Sequence, residues 1–161
     1  MKNYITTLAL IGALAPGLAM AATASGTGTA SAKIVEPVTV TQTQGLNFGT
    51  VTNEAGTVSI SLSGGERSST GDNLVTDGNT PSLGQINITG PAGQPISINI
   101  PTNAEISASG AGLTVNLSST DRGSKTLDSE GSFTIYVGGS MNPEGWTAGT
   151  YTGSYPITIN Y

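Results

Sequence analysis

Apolar residues in this chain recur at every second position, in short runs, and never at helical spacing. Ile96, Ile98 and Ile100 alternate with Ser97 and Asn99. Val58, Ile60 and Leu62 alternate with Ser59 and Ser61, and Phe133, Ile135 and Val137 with Thr134 and Tyr136. Ile86 with Ile88, and Leu113, Val115 and Leu117, do the same. Successive side chains of a strand point to opposite faces, so period two means one buried and one wet face. No window places apolar residues at i, i+3, i+4 and i+7 over a helical length. Gly, Pro and Asn separate the runs, which recur every ten to twenty residues or so, as in an all-β sandwich. The fold class is therefore all-β and antiparallel, with one wet side per sheet.

The predicted strands are 34–42, interrupted at Pro37, then 57–62, 85–89, 95–101, 113–117 and 132–137. The last, 151–161, is predicted to be the longest. It puts Tyr151, Gly153, Tyr155, Ile157, Ile159 and Tyr161 on one face, against Thr152, Ser154, Pro156, Thr158 and Asn160 on the other. Leu46-Asn47-Phe48-Gly49 reads as a short buried step, and 64–81 as one long polar, Gly-rich loop.

The N-terminus reads as an export signal. Met1-Lys2-Asn3 supplies one positive charge, Ile5 to Ala15 an apolar core, and Ala19-Met20-Ala21 a small-x-small cleavage pattern. Cleavage is expected between Ala21 and Ala22. The apolar stretch is shorter than the roughly 20 residues of a membrane-spanning helix, so no spanning segment is expected in the mature chain. Three parts result: a signal peptide over 1–21, an N-terminal extension over 22–33, and a β-sandwich domain over 34–161.

The extension alternates as strictly as the strands do. Ala22, Ala24, Gly26, Gly28, Ala30 and Ala32 share one face and lead to Ile34. Thr23, Ser25, Thr27, Thr29, Ser31 and Lys33 share the other. A flexible tail has this composition too. The alternation admits a strand with a small apolar face, and Ile34 is its bulkiest anchor.

The inventory excludes much chemistry. There is no Cys and no His. Ser-His-Asp and Cys-His catalysis, thiolate or imidazole metal sites and disulfides are all unavailable. Five Lys plus Arg stand against ten Asp plus Glu, a net charge of −5, so no basic patch serves nucleic acid or an anionic membrane. No cofactor is expected. Asp128 with Glu130, and Glu54 with Glu66, read as solvated loop carboxylates rather than a glycosidase pair. Asp72-Asn73 and Asp77-Gly78-Asn79 gather oxygen ligands of the kind calcium takes. No loop motif is complete, so they read as turns. Trp146 reads as a lid on one end of the core, the alternative being a sugar platform.

Two motifs carry a resemblance. Leu46-Asn47-Phe48-Gly49-Thr50 follows the Gln/Thr-rich end of the first strand. The second runs from Ala148-Gly149-Thr150-Tyr151 to Asn160-Tyr161, after Phe133 to Gly139 and Trp146. In this order, behind a signal peptide, they resemble the exported bacterial proteins of the DUF4402 family. They resemble more distantly the archaic chaperone–usher pilus subunits of the spore coat U group. The chain departs from that group in having no Cys and hence no disulfide.

The resemblance implies an immunoglobulin-like sandwich lacking one strand, completed by a donor strand from a neighbouring subunit. The donor would be the 22–33 extension with Ile34; the acceptor groove would be flanked by Tyr155, Ile157, Ile159 and Tyr161. It implies a pilus or filament subunit, secreted through the periplasm to the cell surface and serving adhesion or biofilm formation. Its partners would be copies of itself or related subunits, with a periplasmic chaperone and an outer-membrane usher as escorts. The alternative is a self-complete, monomeric sandwich that binds a glycan or cell-wall polymer through Trp146 and the 64–81 loop.

Overall fold

The computed structural model describes residues 23–161. The signal segment and the Ala21/Ala22 junction lie outside the described residues. The chain divides into two units between Ile34 and Val35. In the first, Thr23 to Ile34 carries no secondary structure and every residue is exposed.

The second unit is built from strands, with no helix among the described residues. In chain order they are β1 (Thr39–Gln44), β2 (Val58–Ile60), β3 (Arg67–Ser69), β4 (Gly84–Thr89) and β5 (Pro95–Asn99). Then come β6 (Asn103–Ala108), β7 (Ala111–Ser119), β8 (Gly123–Thr126), β9 (Ser132–Met141) and β10 (Thr158–Asn160). They form two antiparallel sheets. The larger runs β1-β4-β9-β2-β3, with β7 also on β9 and β6 on β7; the smaller runs β10-β5-β8.

Strand β9 is the hub. Its first part pairs with β4, Ile135 opposite Ile86 and Phe133 opposite Ile88. Its last residues lie between β2 and β7, with Gly139 opposite both Ile60 and Leu117. Only glycine fits this squeeze: a Cβ on Gly138 would lie 2.5 Å from the Ile60 carbonyl oxygen, and one on Gly139 2.5 Å from that of Asn116. The β6–β7 hairpin closes through Ser109 (φ 49°) and Gly110 (φ 85°). Two left-handed residues give the turn whose twist suits a two-residue hairpin loop.

The alternating residues do what their period requires. Ile86, Ile88, Ile135, Val137 and Val58 are fully buried, and Ile96 and Ile98 of the smaller sheet join them in one apolar cluster. Both sheets thus close on a shared core, and removing this apolar surface from water is the main drive for folding.

Some expectations need correction. The first strand begins at Thr39, beyond Pro37, rather than at Ile34. The 64–81 loop contains β3, held to β2 by Val58–Ser69 and Ile60–Arg67 pairs. Strands β6 and β8 lie where none was expected. The last strand forms a ladder only over Thr158–Asn160, plus one bridge between Thr152 and Ser107. Pro156 has no N–H to give a ladder. Upstream, Gly153 lies so tightly on the Glu105 carbonyl that no side chain fits.

Candidate functional site

The Leu46-Asn47-Phe48-Gly49 step is held by its own asparagine. Asn47 exchanges backbone hydrogen bonds with Ser82 (2.9 and 2.8 Å). Its Nδ2 donates to Asn79 Oδ1 and to the Thr80 carbonyl, each at 3.0 Å, while its Oδ1 accepts from Gly49 N at 2.9 Å. Such an Asx turn aims the neighbouring side chain: Phe48 is buried, and Gly49 takes φ 73° with a missing Cβ 2.6 Å from Arg67 Nη1.

Arg67 then clamps the segment. Its Nη1 donates to the carbonyls of Phe48 (3.1 Å) and Thr50 (2.9 Å), and its Nη2 to that of Val75 (2.9 Å). Behind it, Asn73 is fully buried. It accepts from Ser69 Oγ and donates to the Glu54 and Gly56 carbonyls. Arg67 was not singled out in the sequence, and Asn73 only as part of the Asp72-Asn73 turn cluster. A lone arginine in a Ser-rich loop was the available signal for one; a single asparagine gave none for the other.

This segment, 46–53, forms one wall of a cleft of about 800 Å³. The opposite wall is 146–155, and the floor is apolar, with Ile106, Leu113, Val115 and Met141. No charged residue lines it. At one end the walls are laced together: Asn53 Nδ2 donates to the Trp146 carbonyl (3.0 Å), and Gly145 N to the Asn53 carbonyl (3.2 Å). Trp146 meets Tyr151 edge-on, centroids 6.0 Å apart, and Tyr151 Oη donates to the Thr147 carbonyl. Trp146 is half-buried against the apolar cluster.

Tyr155 lines the cleft, and its hydroxyl lies where a Cβ on Gly84 would come within 2.9 Å of it; Leu46 N is beside the same point. Burial pushes its phenol pKa up. Ile157 and Ile159 pack against the core but are only half-buried, and Tyr161 is 58% exposed. Of the face expected to point inward, Tyr151, Tyr155, Ile157 and Ile159 are half-buried, whereas Gly153 and Tyr161 are exposed, and the ladder is short. Strand β10 pairs with β5 alone.

Strand β1 is the counterpart in the larger sheet. Val40 and Gln42 stand opposite the inward Ile88 and Ile86. Val40 is nonetheless 42% exposed, and every residue of β1 is exposed. Ala24, Gly26, Gly28, Ala30, Ala32 and Ile34 are exposed as well, Ile34 at 94%; Ala22 lies outside the described residues.

The carboxylates serve turns. Asp128 Oδ1 accepts from the amides of Glu130 (2.9 Å) and Ser132 (2.8 Å). Glu54 and Glu66 are exposed. Asp77 Oδ1 accepts from Asn79 N, and the hydroxyl of Thr50, followed by this amide, holds its carboxyl below the usual range. Asp72 is exposed, and no group of three metal-ligating acidic residues occurs among the described residues.

These features define an all-β domain of two antiparallel sheets on one core, with an uncharged apolar cleft reaching into that core. Residues 38–161 match the family model described as Domain of unknown function (DUF4402), and the chain belongs to this family. Neither a curated protein nor a solved structure matches it.

Proposed function

We propose that this chain is an exported structural subunit that joins copies of itself or related subunits head to tail, by strand addition, into a surface filament. One observation carries the reading. The β10 edge is paired on one side only, and the inward residues along it, Ile157 just before the strand and Ile159 within it, stay half-exposed although they pack on the core. An unpaired edge with apolar side chains beside it is a template for another strand. Main-chain hydrogen bonds give affinity there, and alternate side chains give register.

On this reading the domain is an immunoglobulin-like sandwich one strand short. The missing strand comes from the 22–33 extension and Ile34 of a neighbour, whose Ala and Gly face alternates as a strand requires. The contact is heterologous and does not close, so repetition gives a filament. A periplasmic chaperone would cover the same edge in transit and an outer-membrane usher would exchange it. Adhesion or biofilm formation is the service such a filament performs at the cell surface.

The test is electron microscopy of material sheared from cells producing the full chain, with gels run before and after boiling. Filaments and a heat-sensitive ladder are expected, and both are lost on deleting residues 22–33 while export continues. A compact monomer from the full chain refutes the reading. Filaments from the deleted chain refute the role of the extension.

A further inference from the structure

Native proteins rarely leave a buried polar atom without a partner, and each such atom asks for an explanation. Among the described residues two side-chain atoms are in this state: Thr52 Oγ1 and Tyr155 Oη. They are 103 positions apart in sequence, yet both residues line the same cleft, one on each wall.

Those walls are also the segments least secured by ladders. The 46–53 wall is held by isolated bridges to Ser82 and Leu74, outside the named strands, and by Arg67 of β3, and the 146–155 wall by the Thr152–Ser107 bridge. Tyr155 stands between that bridge and the start of β10 at Thr158. Segments with single bridges open more readily than full ladders do.

We propose that the cleft is built for an occupant that brings hydrogen-bonding groups as well as apolar contact: the extended N-terminal segment of a second copy, to which the Thr52 and Tyr155 hydroxyls bond once the walls part. This rests on the strand-addition reading and names contacts within it. Both oxygens are shut off from solvent, so the walls must yield before they pair. An extended chain carries unpaired N–H and C=O groups along its length. The occupant's charge also matches. The cleft lining has no charged residue, and from Thr23 to Ala32 the extension has no charged side chain, Thr and Ser alternating with Ala and Gly.

The test uses the full chain with Thr52→Val and Tyr155→Phe, which remove a hydroxyl and keep nearly the same shape. Two quantities are measured: the melting temperature of heat-dissociated monomer and the rate at which purified multimers dissociate. The monomer should melt at the same temperature as the parent or higher, since a buried orphan is removed. The multimers of each variant should dissociate roughly five to ten times faster, the loss of about one hydrogen bond. Multimers of both variants that dissociate at the parental rate overturn this assignment and leave strand addition standing. A parent chain that forms no multimers overturns strand addition itself, and the assignment with it.

Discussion

Replacing Arg67 by methionine keeps an unbranched apolar stem and removes the guanidinium clamp on one wall of the cleft. Three hydrogen bonds go, to the carbonyls of Phe48, Thr50 and Val75. The Thr50 carbonyl keeps the amide of Val75 as a donor at 3.1 Å, so the damage falls on the other two. Hydrogen bonds from a charged donor contribute about 1.5–3 kcal/mol each when buried. Arg67 is only half-buried, so water competes and about 1 kcal/mol per bond is the better figure. The expected loss is then about 2 kcal/mol, a fall in melting temperature of roughly 4–8 °C for a domain of this size. Arg67→Lys keeps the charge but not the planar fork that reaches several carbonyls together, and should fall between. Thermal unfolding followed by circular dichroism gives both values. A methionine variant melting within about 2 °C of the parent would refute the argument that this guanidinium holds the 46–53 segment.

Two further outcomes follow from burial. Ile86→Ala empties a fully buried site in β4 opposite Ile135 and should cost about 3–4 kcal/mol in a urea titration; a cost under about 1.5 kcal/mol would mean that the site collapses. Tyr155 has its phenol pKa raised above 10.0 by desolvation, so the unfolded chain loses that proton first as pH rises. Its contribution is complete below pH 10.0 and is lost as pH climbs from there through the folded value. The melting temperature should therefore drop at alkaline pH, and less steeply in Tyr155→Phe; equal slopes for the two would count against burial of this phenol.

How much of this was legible depends on what each strand buries. Strands β4, β5, β7 and β9 carry Ile, Val or Leu at alternate positions, and those residues form the core. The inward face of the last segment was legible for the same reason. Strand β8, with Gly123, Ser124, Lys125 and Thr126, buries nothing large, and β6 holds Glu105 on its exposed face. Period two gives little signal where a face holds at most one large apolar residue, as with Ile106 in β6. The length of the last strand was misjudged because alternation reports faces, whereas a ladder also needs N–H groups, and Pro156 lacks one. The cleft was legible only in part. Tyr155 was singled out and lines the cleft, but the 46–53 wall rests on the Arg67 and Asn73 networks, which join residues far apart in sequence and leave no periodic trace.

The sheet edges bear on which surface is open to pairing. Exposed edges invite association, and natural proteins blunt them with charges. Among the described strands, β3, β6 and β8 lie at edges, and each carries one: Arg67, Glu105 and Lys125. Strands β1 and β10 lie at edges too and carry none. Their inward residues, Val40 on one and Ile159 on the other, are exposed or half-exposed, as is Ile106 on the charged edge β6. The two uncharged strands belong to different sheets, yet Leu46, just past β1, and Tyr155, just before β10, meet at Gly84. A chain selected only against sticking to its neighbours has no reason to leave two edges uncharged beside inward residues that are open to solvent. A chain that takes up a strand there has such a reason, because a charge on either edge would have to be buried unpaired when the strand arrived.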